Sequence, residues 1–293
     1  MTRLQAPNNE SMLIFDFDGV LLNSVVEMSI TAYNAVTGGL ATSPDDLPGN
    51  AAALFVTNRY HVQPAGDAIN LMAWCVEYAG LPGNHRLDPA EYRAIRESSD
   101  VPLKARTVRF FAARKRFVAH DPVQWPSLNT VYQPVWDELK GVDAEGIVIL
   151  TNKNREATVT LCHHFGLAVL PENVYAGDHG TNKIENLEAI QARFGRERYG
   201  FVDDSIGNLE ELDAHFNAGE LGNADGSGNT GEPGNAGEHG NAGEPLLELM
   251  LASWGYIGPD DHALARRAGY AILDQAGLIA RIASMKGVGM ENP

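Results

Sequence analysis

The stretch Leu13-Ile14-Phe15-Asp16-Phe17-Asp18-Gly19-Val20 decides the fold. An apolar run leads straight into two acids one position apart, which is typical of a buried strand with polar groups at its carboxyl end. Alternate residues of an extended chain face the same side, so both carboxylates can face one pocket. In open α/β sheets, ligands bind at that edge.

Paired acids after a strand suit two kinds of chemistry. Carboxylate oxygens are the hard ligands that Mg²⁺ prefers. One acid can also attack as a nucleophile while the other transfers protons. Taken alone, the pattern is explained more simply by a polar turn, because a lone D-x-D-G is a weak signal.

Beyond this stretch, apolar runs alternate with helical periodicity. Strands are predicted at 147–150, near 174, at 199–202, 246–253 and 270–273, and helices at 155–165, 184–194, 206–216 and 262–268. Such alternation indicates βαβ units and a parallel sheet. The fold class is therefore α/β, with a Rossmann-like parallel sheet.

Residues 25–125 break the alternation. Apolar side chains recur there at helical spacing, as at Met28, Ala32 and Ala35, and Gly and Pro residues separate the helical segments. We therefore predict a mainly α-helical cap domain at 25–125, inserted into an α/β core formed by 1–24 and 126–293.

Three further polar groups follow or precede the later elements. They are Thr151-Asn152-Lys153 after one strand, Lys183 before a helix, and Asp203-Asp204-Ser205 after another strand. Singly, each is explained by a helix cap or an exposed lysine. Adjacent acids, however, repel each other unless a cation neutralises them. Together with Asp16 and Asp18, they make four polar groups at comparable points of successive strands and helices, which indicates one site.

The four motifs LIFDFDGVLLNS, IVILTNKN, Lys183 and GFVDDSIGN together resemble those of the haloacid dehalogenase superfamily, in its phosphoglycolate phosphatase and β-phosphoglucomutase branch. Their order and spacing match over nearly the whole chain. LASWGY at 251–256 is similar to the strand that follows the last motif in these phosphatases. The resemblance implies a Rossmann-like core with an inserted helical cap.

The resemblance also implies a role for each motif residue. Asp16 is expected to form an aspartyl-phosphate, and Asp18 to protonate the leaving group and then activate water. Mg²⁺ is expected on Asp16, Asp18 (through its carbonyl) and Asp204, with Asp203 supporting it. Phosphoryl oxygens are expected on Thr151, Asn152 and Lys183. The expected enzyme is a magnesium-dependent phosphatase acting on a small phosphorylated metabolite.

Two alternatives remain open. A phosphomutase of the β-phosphoglucomutase type shares the core motifs and differs in the cap. A non-catalytic, ligand-binding protein of the same fold is the alternative from another class, and the intact motifs argue against it. The sequence also leaves open which of Asp203 and Asp204 dominates metal binding.

The composition of the chain limits the kinds of partner that it is expected to bind. The chain has 293 residues and a formal net charge of −16, so we expect no binding to nucleic-acid phosphates. It contains two cysteines and neither a signal-peptide pattern nor an apolar run long enough to span a bilayer, which predicts a cytoplasmic protein without membrane contact. The oligomeric state stays open, and a monomer is compatible with this chemistry.

Two segments stand apart in composition. Residues 218–245 carry nine glycines, every third position being glycine from 228 to 243, and are expected to be a flexible low-complexity loop within the core. Residues 104–116 carry six basic residues and no acid. We interpret them as an amphipathic helix with an exposed charged face, the alternative being a cationic cap face that contacts an anionic substrate.

Overall fold

The computed structural model describes residues 11–177, 182–217 and 247–286. Its larger sheet has six strands, and each pair of neighbours runs parallel. In spatial order they are β5 (Val174–Ala176), β4 (Val148–Thr151), β1 (Ser11–Phe15), β6 (Arg198–Asp203), β7 (Leu247–Ala252) and β8 (Ala271–Leu273). The chain order reverses at β1, and a ligand crevice is expected at the carboxyl end of such a point.

The central strands are apolar on both faces because helices cover both. Leu13 and Phe15 of β1 pack into one hydrophobic core, whereas Ile14 between them packs into the other. All four residues of β4 are buried. A strand covered on both sides reads as a continuous apolar run, which explains why β1 and β4 were recognisable in the sequence.

Within the described ranges, six helices surround the sheet. They are α7 (Gln133–Leu139), α8 (Arg155–His164), α9 (Lys183–Phe194), α10 (Ile206–Phe216), α11 (Asp261–Ala268) and α12 (Gln275–Lys286). Buried residues of α7, α8 and α12 belong to the same core as Phe15, and those of α9, α10 and α11 to the core of Ile14. The sheet therefore lies between two layers of helices.

A helical insertion lies between two short paired strands. β2 (Leu22–Asn23) pairs antiparallel with β3 (Thr130–Val131), so the chain leaves and re-enters the core side by side. The helical insertion comprises α1 (Val25–Thr37), α2 (Ala51–Asn58), α3 (Asp67–Glu77), α4 (Pro89–Glu97), α5 (Leu103–His120) and α6 (Gln124–Ser127). Its presence confirms the predicted fold class, while the domain limits at 24/25 and 125/126 stay a prediction.

Several elements were not predicted, namely α7, α12 and the ribbon of β2 and β3. Strands of two residues are too short for periodicity to appear. No helix among the described residues is both long enough and apolar enough to cross a bilayer. The glycine-rich segment 218–245 lies outside the described residues.

Candidate active site

The carboxyl edge of the sheet brings the predicted motif residues together. Asp16 follows β1, Thr151 ends β4 and Asp203 ends β6, and these three strands are neighbours in the sheet. Lys183 is the first residue of α9. All four side chains are buried, and a cavity is lined by Asp16, Thr151, Asn152 and Lys183 together with Asp18 and Asp204. Every predicted site residue except Asp203 therefore faces that cavity.

Three carboxylates form a buried cluster at this edge. Asp16, Asp203 and Asp204 each offer one oxygen, and these oxygens lie within 4.8 Å of one another. The backbone N–H of Tyr256 donates a hydrogen bond of 2.6 Å to Oδ2 of Asp204 and fixes its direction. Gly19, at φ +92°, lies so close that a Cβ there would overlap the Asp204 carboxylate.

The cluster is short of positive charge. Burial, followed by the charge of Asp203, raises the pKa of Asp204 to about 7. Burial also raises the pKa of Asp16 well above its usual range, although Lys183 opposes the shift. Buried like charges resist ionisation in this way. Carboxylate oxygens that lie around one point, with negative charge that is not fully neutralised, fit a divalent cation such as Mg²⁺.

Lys183 supplies the cation nearest to this cluster. Its Nζ lies 2.8 Å from Oδ1 of Asp16 and also donates a hydrogen bond to Oδ2 of Asp203. Burial alone would lower the pKa of Lys183, but these two carboxylates outweigh it and raise the pKa, so the ammonium stays charged. The side chain of Asn182 caps α9 by accepting from the N–H of Glu185, which places Lys183 at the start of the helix.

Asp203 and Asp204 differ in their surroundings. Asp203 accepts hydrogen bonds from the Ser205 N–H and the Asn208 side chain, both at 2.9 Å, in addition to Lys183. Among the described residues, the hydrogen bond that Asp204 accepts comes from Tyr256 alone. Asp203 is thus the acid held by protein donors, and Asp204 is the acid that keeps capacity for a metal ion.

A second set of buried charges surrounds Asp18. Nζ of Lys153 lies 3.0 Å from Oδ1 of Asp18 and 3.9 Å from Oε2 of Glu27. Glu27 is in the first turn of α1 and is fully buried. The sequence marked Lys153 as a cation of the second motif, but it did not reveal Glu27, because one acid in an amphipathic helix carries no signal of its own.

The helical insertion covers the site. Arg59, Tyr60, Gln63 and Arg114 line the cavity from its side. The guanidinium of Arg59 lies 4.4 Å above the ring of Tyr256, which follows β7. The charge of Arg114 is paired with Glu27, so Arg59 is the cation on the covering side that suits an anionic ligand.

The basic segment 104–116 lies in α5, and its interpretation as an exposed charged face is wrong for two of its members. Arg106 is buried and ion-paired with Asp67 at 3.2 Å, and Arg114 is buried against Glu27. Buried guanidinium groups need such partners, because a buried charge without one is costly. Lys104 and Lys115 are exposed, as predicted.

No family model matches the sequence, and no curated protein is significantly similar to it. Solved structures do match. A protein of Lactobacillus delbrueckii subsp. bulgaricus, described as a phosphoglycolate phosphatase by prediction, is 12% identical and superimposes with a TM-score of 0.52 over 93% of this chain and 98% of its own. The chain has the haloacid dehalogenase-like fold that its motifs predicted.

Two other structures agree. A predicted phosphoglycolate phosphatase of Haemophilus somnus is 16% identical, with a TM-score of 0.50 over 92% of this chain and 96% of its own. A hydrolase of Pseudomonas syringae is 13% identical, with a TM-score of 0.51 over 94% and 99%. The likeness covers more than nine tenths of this chain and of each matched chain.

Proposed function

We propose that the protein is a magnesium-dependent phosphatase that hydrolyses a small phosphorylated metabolite through an aspartyl-phosphate. One observation carries this proposal. Asp16, Asp18, Lys183 and Asp204 line one cavity at the carboxyl edge of the sheet, beneath the helical insertion, and the buried Asp203 lies in the same carboxylate cluster as Asp16 and Asp204. The similar structures described as phosphatases support the same reaction class.

In this proposal, Asp16 is the nucleophile. One of its carboxylate oxygens bonds to phosphorus while the bond from phosphorus to the ester oxygen breaks. Asp18 gives its proton to that departing oxygen. Its carboxylate then takes a proton from water, which attacks phosphorus and breaks the bond to Asp16, so that inorganic phosphate leaves and Asp16 is restored.

A carboxylate that attacks a phosphate anion meets charge repulsion, which the site must offset. Lys183 is charged and lies against Asp16, and Thr151 and Asn152 offer hydrogen-bond donors to phosphoryl oxygens. A bound Mg²⁺ would neutralise the remaining negative charge. The side chains of Asp16 and Asp204 and the carbonyl of Asp18 would hold it, with Asp203 in support.

The compartment follows as a further part of the proposal. Cys75 and Cys162 are free and buried, which agrees with a reducing, cytoplasmic setting. The substrate is expected to be a small molecule rather than a polymer, because residues of the helical insertion, such as Arg59 and Tyr60, line the same cavity as Asp16.

The test is hydrolysis of p-nitrophenyl phosphate with Mg²⁺ by the wild-type protein and by Asp16→Asn. We expect turnover by the wild type and loss of at least about a thousandfold in the variant, because covalent catalysis needs the carboxylate. No turnover by the wild type, or equal turnover by both, would refute the proposal. A panel of phosphorylated metabolites then identifies the substrate, and labelled phosphate appearing on a second hydroxyl instead of in solution would assign a mutase.

A further inference from the structure

Lys153 joins the two acids that flank the start of the helical insertion. Its ammonium lies 3.0 Å from Asp18, which precedes the insertion, and 3.9 Å from Glu27, which belongs to α1 within it. The side chain of Lys153 is only 1% exposed. Among the described residues, Nζ has no well-aligned hydrogen bond, so charge attraction to these carboxylates holds it in place.

Glu27 is the fixed end of this chain of charges. Arg114 donates two hydrogen bonds to it, at 2.9 and 2.8 Å, and Thr31 and Trp125 each donate one, at 2.7 and 2.9 Å. A carboxylate with four donors cannot turn away without leaving several of them unpaired. Glu27 therefore gives Lys153 a rigid anchor on the side away from the cavity.

The charges of this group balance. Once Asp18 has given up its proton, Asp18 and Glu27 carry two negative charges, and Lys153 and Arg114 carry two positive ones. Without Glu27, the two buried cations would face each other with one acid between them, and Lys153 would be displaced. The site thus contains two buried lysines with different partners, since Lys183 contacts Asp16 and Asp203 whereas Lys153 contacts Asp18.

We propose that Lys153 is a positioning residue for Asp18, that its charge stabilises the Asp18 carboxylate as the proton leaves for the ester oxygen, and that Glu27 holds Lys153 in place. This inference rests on the proposed phosphatase function. The negative charge that develops on Asp18 appears 3.0 Å from a cation already in position, so no rearrangement is needed at that moment.

The effect of losing Lys153 should depend on how basic the leaving group of the substrate is. An ester of a weakly basic alcohol such as p-nitrophenol departs with little help from an acid. An ester of phenol depends more strongly on the proton of Asp18. Loss of Lys153 should therefore slow the hydrolysis of phenyl phosphate more than that of p-nitrophenyl phosphate. General damage to the fold would slow both reactions equally.

The experiment compares kcat/KM for these two substrates, with Mg²⁺, in the wild type, Lys153→Met and Asp18→Asn. Lys140→Met is the matched control, because Lys140 is 39% exposed and pairs with Asp137 at the end of α7. We expect the ratio of the two kcat/KM values to shift by about tenfold or more in Lys153→Met, in the same direction as in Asp18→Asn, since positioned acid–base groups contribute about 10²-fold to 10⁴-fold. Lys140→Met should leave the ratio unchanged.

Two further variants guard against misfolding. Glu27→Gln keeps the shape of the anchor and removes its charge, and the double variant Glu27→Gln/Lys153→Met removes one charge of each sign and leaves the group balanced. Both should shift the ratio in the same direction. A ratio equal to that of the wild type in the folded variants would overturn the inference alone. No hydrolysis of either substrate by the wild type would overturn the proposed function as well.

Discussion

The side chain of Asn217 donates a hydrogen bond of 3.3 Å to the carbonyl of Leu247, although 30 positions separate the two residues. Asn217 directly follows α10, and Leu247 begins β7. The residues on either side of the glycine-rich segment therefore lie next to each other. A short connection is sufficient to join them.

Deletion of residues 222–243 should consequently leave folding and activity nearly intact. The remaining residues can span the short distance from Asn217 to Leu247, and closing a shorter loop costs less conformational entropy. The measurement is the melting temperature together with p-nitrophenyl phosphate turnover, for the deleted and the full chain. A large loss of either would mean that the repeat is structural.

Glu27 should make a pH-dependent contribution to stability. Burial acts to raise the pKa of Glu27, but Arg114 and Lys153 outweigh it and lower the pKa from 4.5 to about 2. A carboxyl with a lowered pKa stabilises the fold above its unfolded pKa and loses that contribution as the pH falls through its folded pKa. Glu27→Gln should therefore lose about 3 kcal/mol of unfolding free energy at neutral pH.

Urea unfolding at several pH values measures this difference. It should narrow as the pH falls from 4.5 towards 2, because protonation removes the same charge from the wild type. The control is Glu97→Gln, since Glu97 is exposed at the end of α4 and should have little effect at any pH. A difference that stays constant over the whole range would show that Glu27 does not act through its charge.

Mg²⁺ should stabilise the protein through Asp204. The pKa of Asp204 is raised to about 7 by burial and by Asp203, so its carboxylate lacks a sufficient counter-charge. A cation that binds only the folded state raises the melting temperature, here by about 2 to 4 °C for each kcal/mol of binding linkage. We expect this shift in the wild type and its loss in Asp204→Asn. An equal shift in both proteins would place the metal elsewhere.

Gly19 should be intolerant of any side chain. Its φ of +92° is unfavourable for other residues, and a Cβ would overlap the carboxylate of Asp204. At Gly38, where φ is +76°, an added Cβ would meet no described atom within 4 Å beyond its chain neighbours, so Gly38→Ala carries the backbone cost of about 1–2 kcal/mol without the overlap. Gly19→Ala should also lose the Mg²⁺-dependent melting shift, whereas Gly38→Ala should keep it; retention by both would contradict the account.

The core of the site was predictable because of one geometric rule. Parallel strands end at a common edge, so Asp16, Thr151 and Asp203 had to meet once each was recognised as the residue at the end of a strand. Each of these residues could also be recognised from its immediate neighbours in the sequence, since each acid or hydroxyl directly follows or ends an apolar run. No knowledge of the helical insertion was needed to bring these residues together.

Contacts made by the helical insertion could not be predicted in the same way. Glu27 and Arg114 are 87 positions apart, and their pairing depends on how α1 packs against α5. Arg114 lies in a charged run, which favoured an exposed face. The backbone N–H of Tyr256 has no sequence signal at all, because any residue but proline offers one.

In the proposed reaction, Asp16 carries the phosphoryl group. The most direct measurement is mass spectrometry of Asp18→Asn protein, mixed with p-nitrophenyl phosphate and Mg²⁺ and quenched in acid, since loss of the proton acceptor should slow hydrolysis of the intermediate. The account predicts phosphate on the peptide that contains Asp16, and none when Asp16→Asn is added to the same protein. Wild-type turnover without a phosphorylated protein, or with phosphate on a different residue, would contradict it.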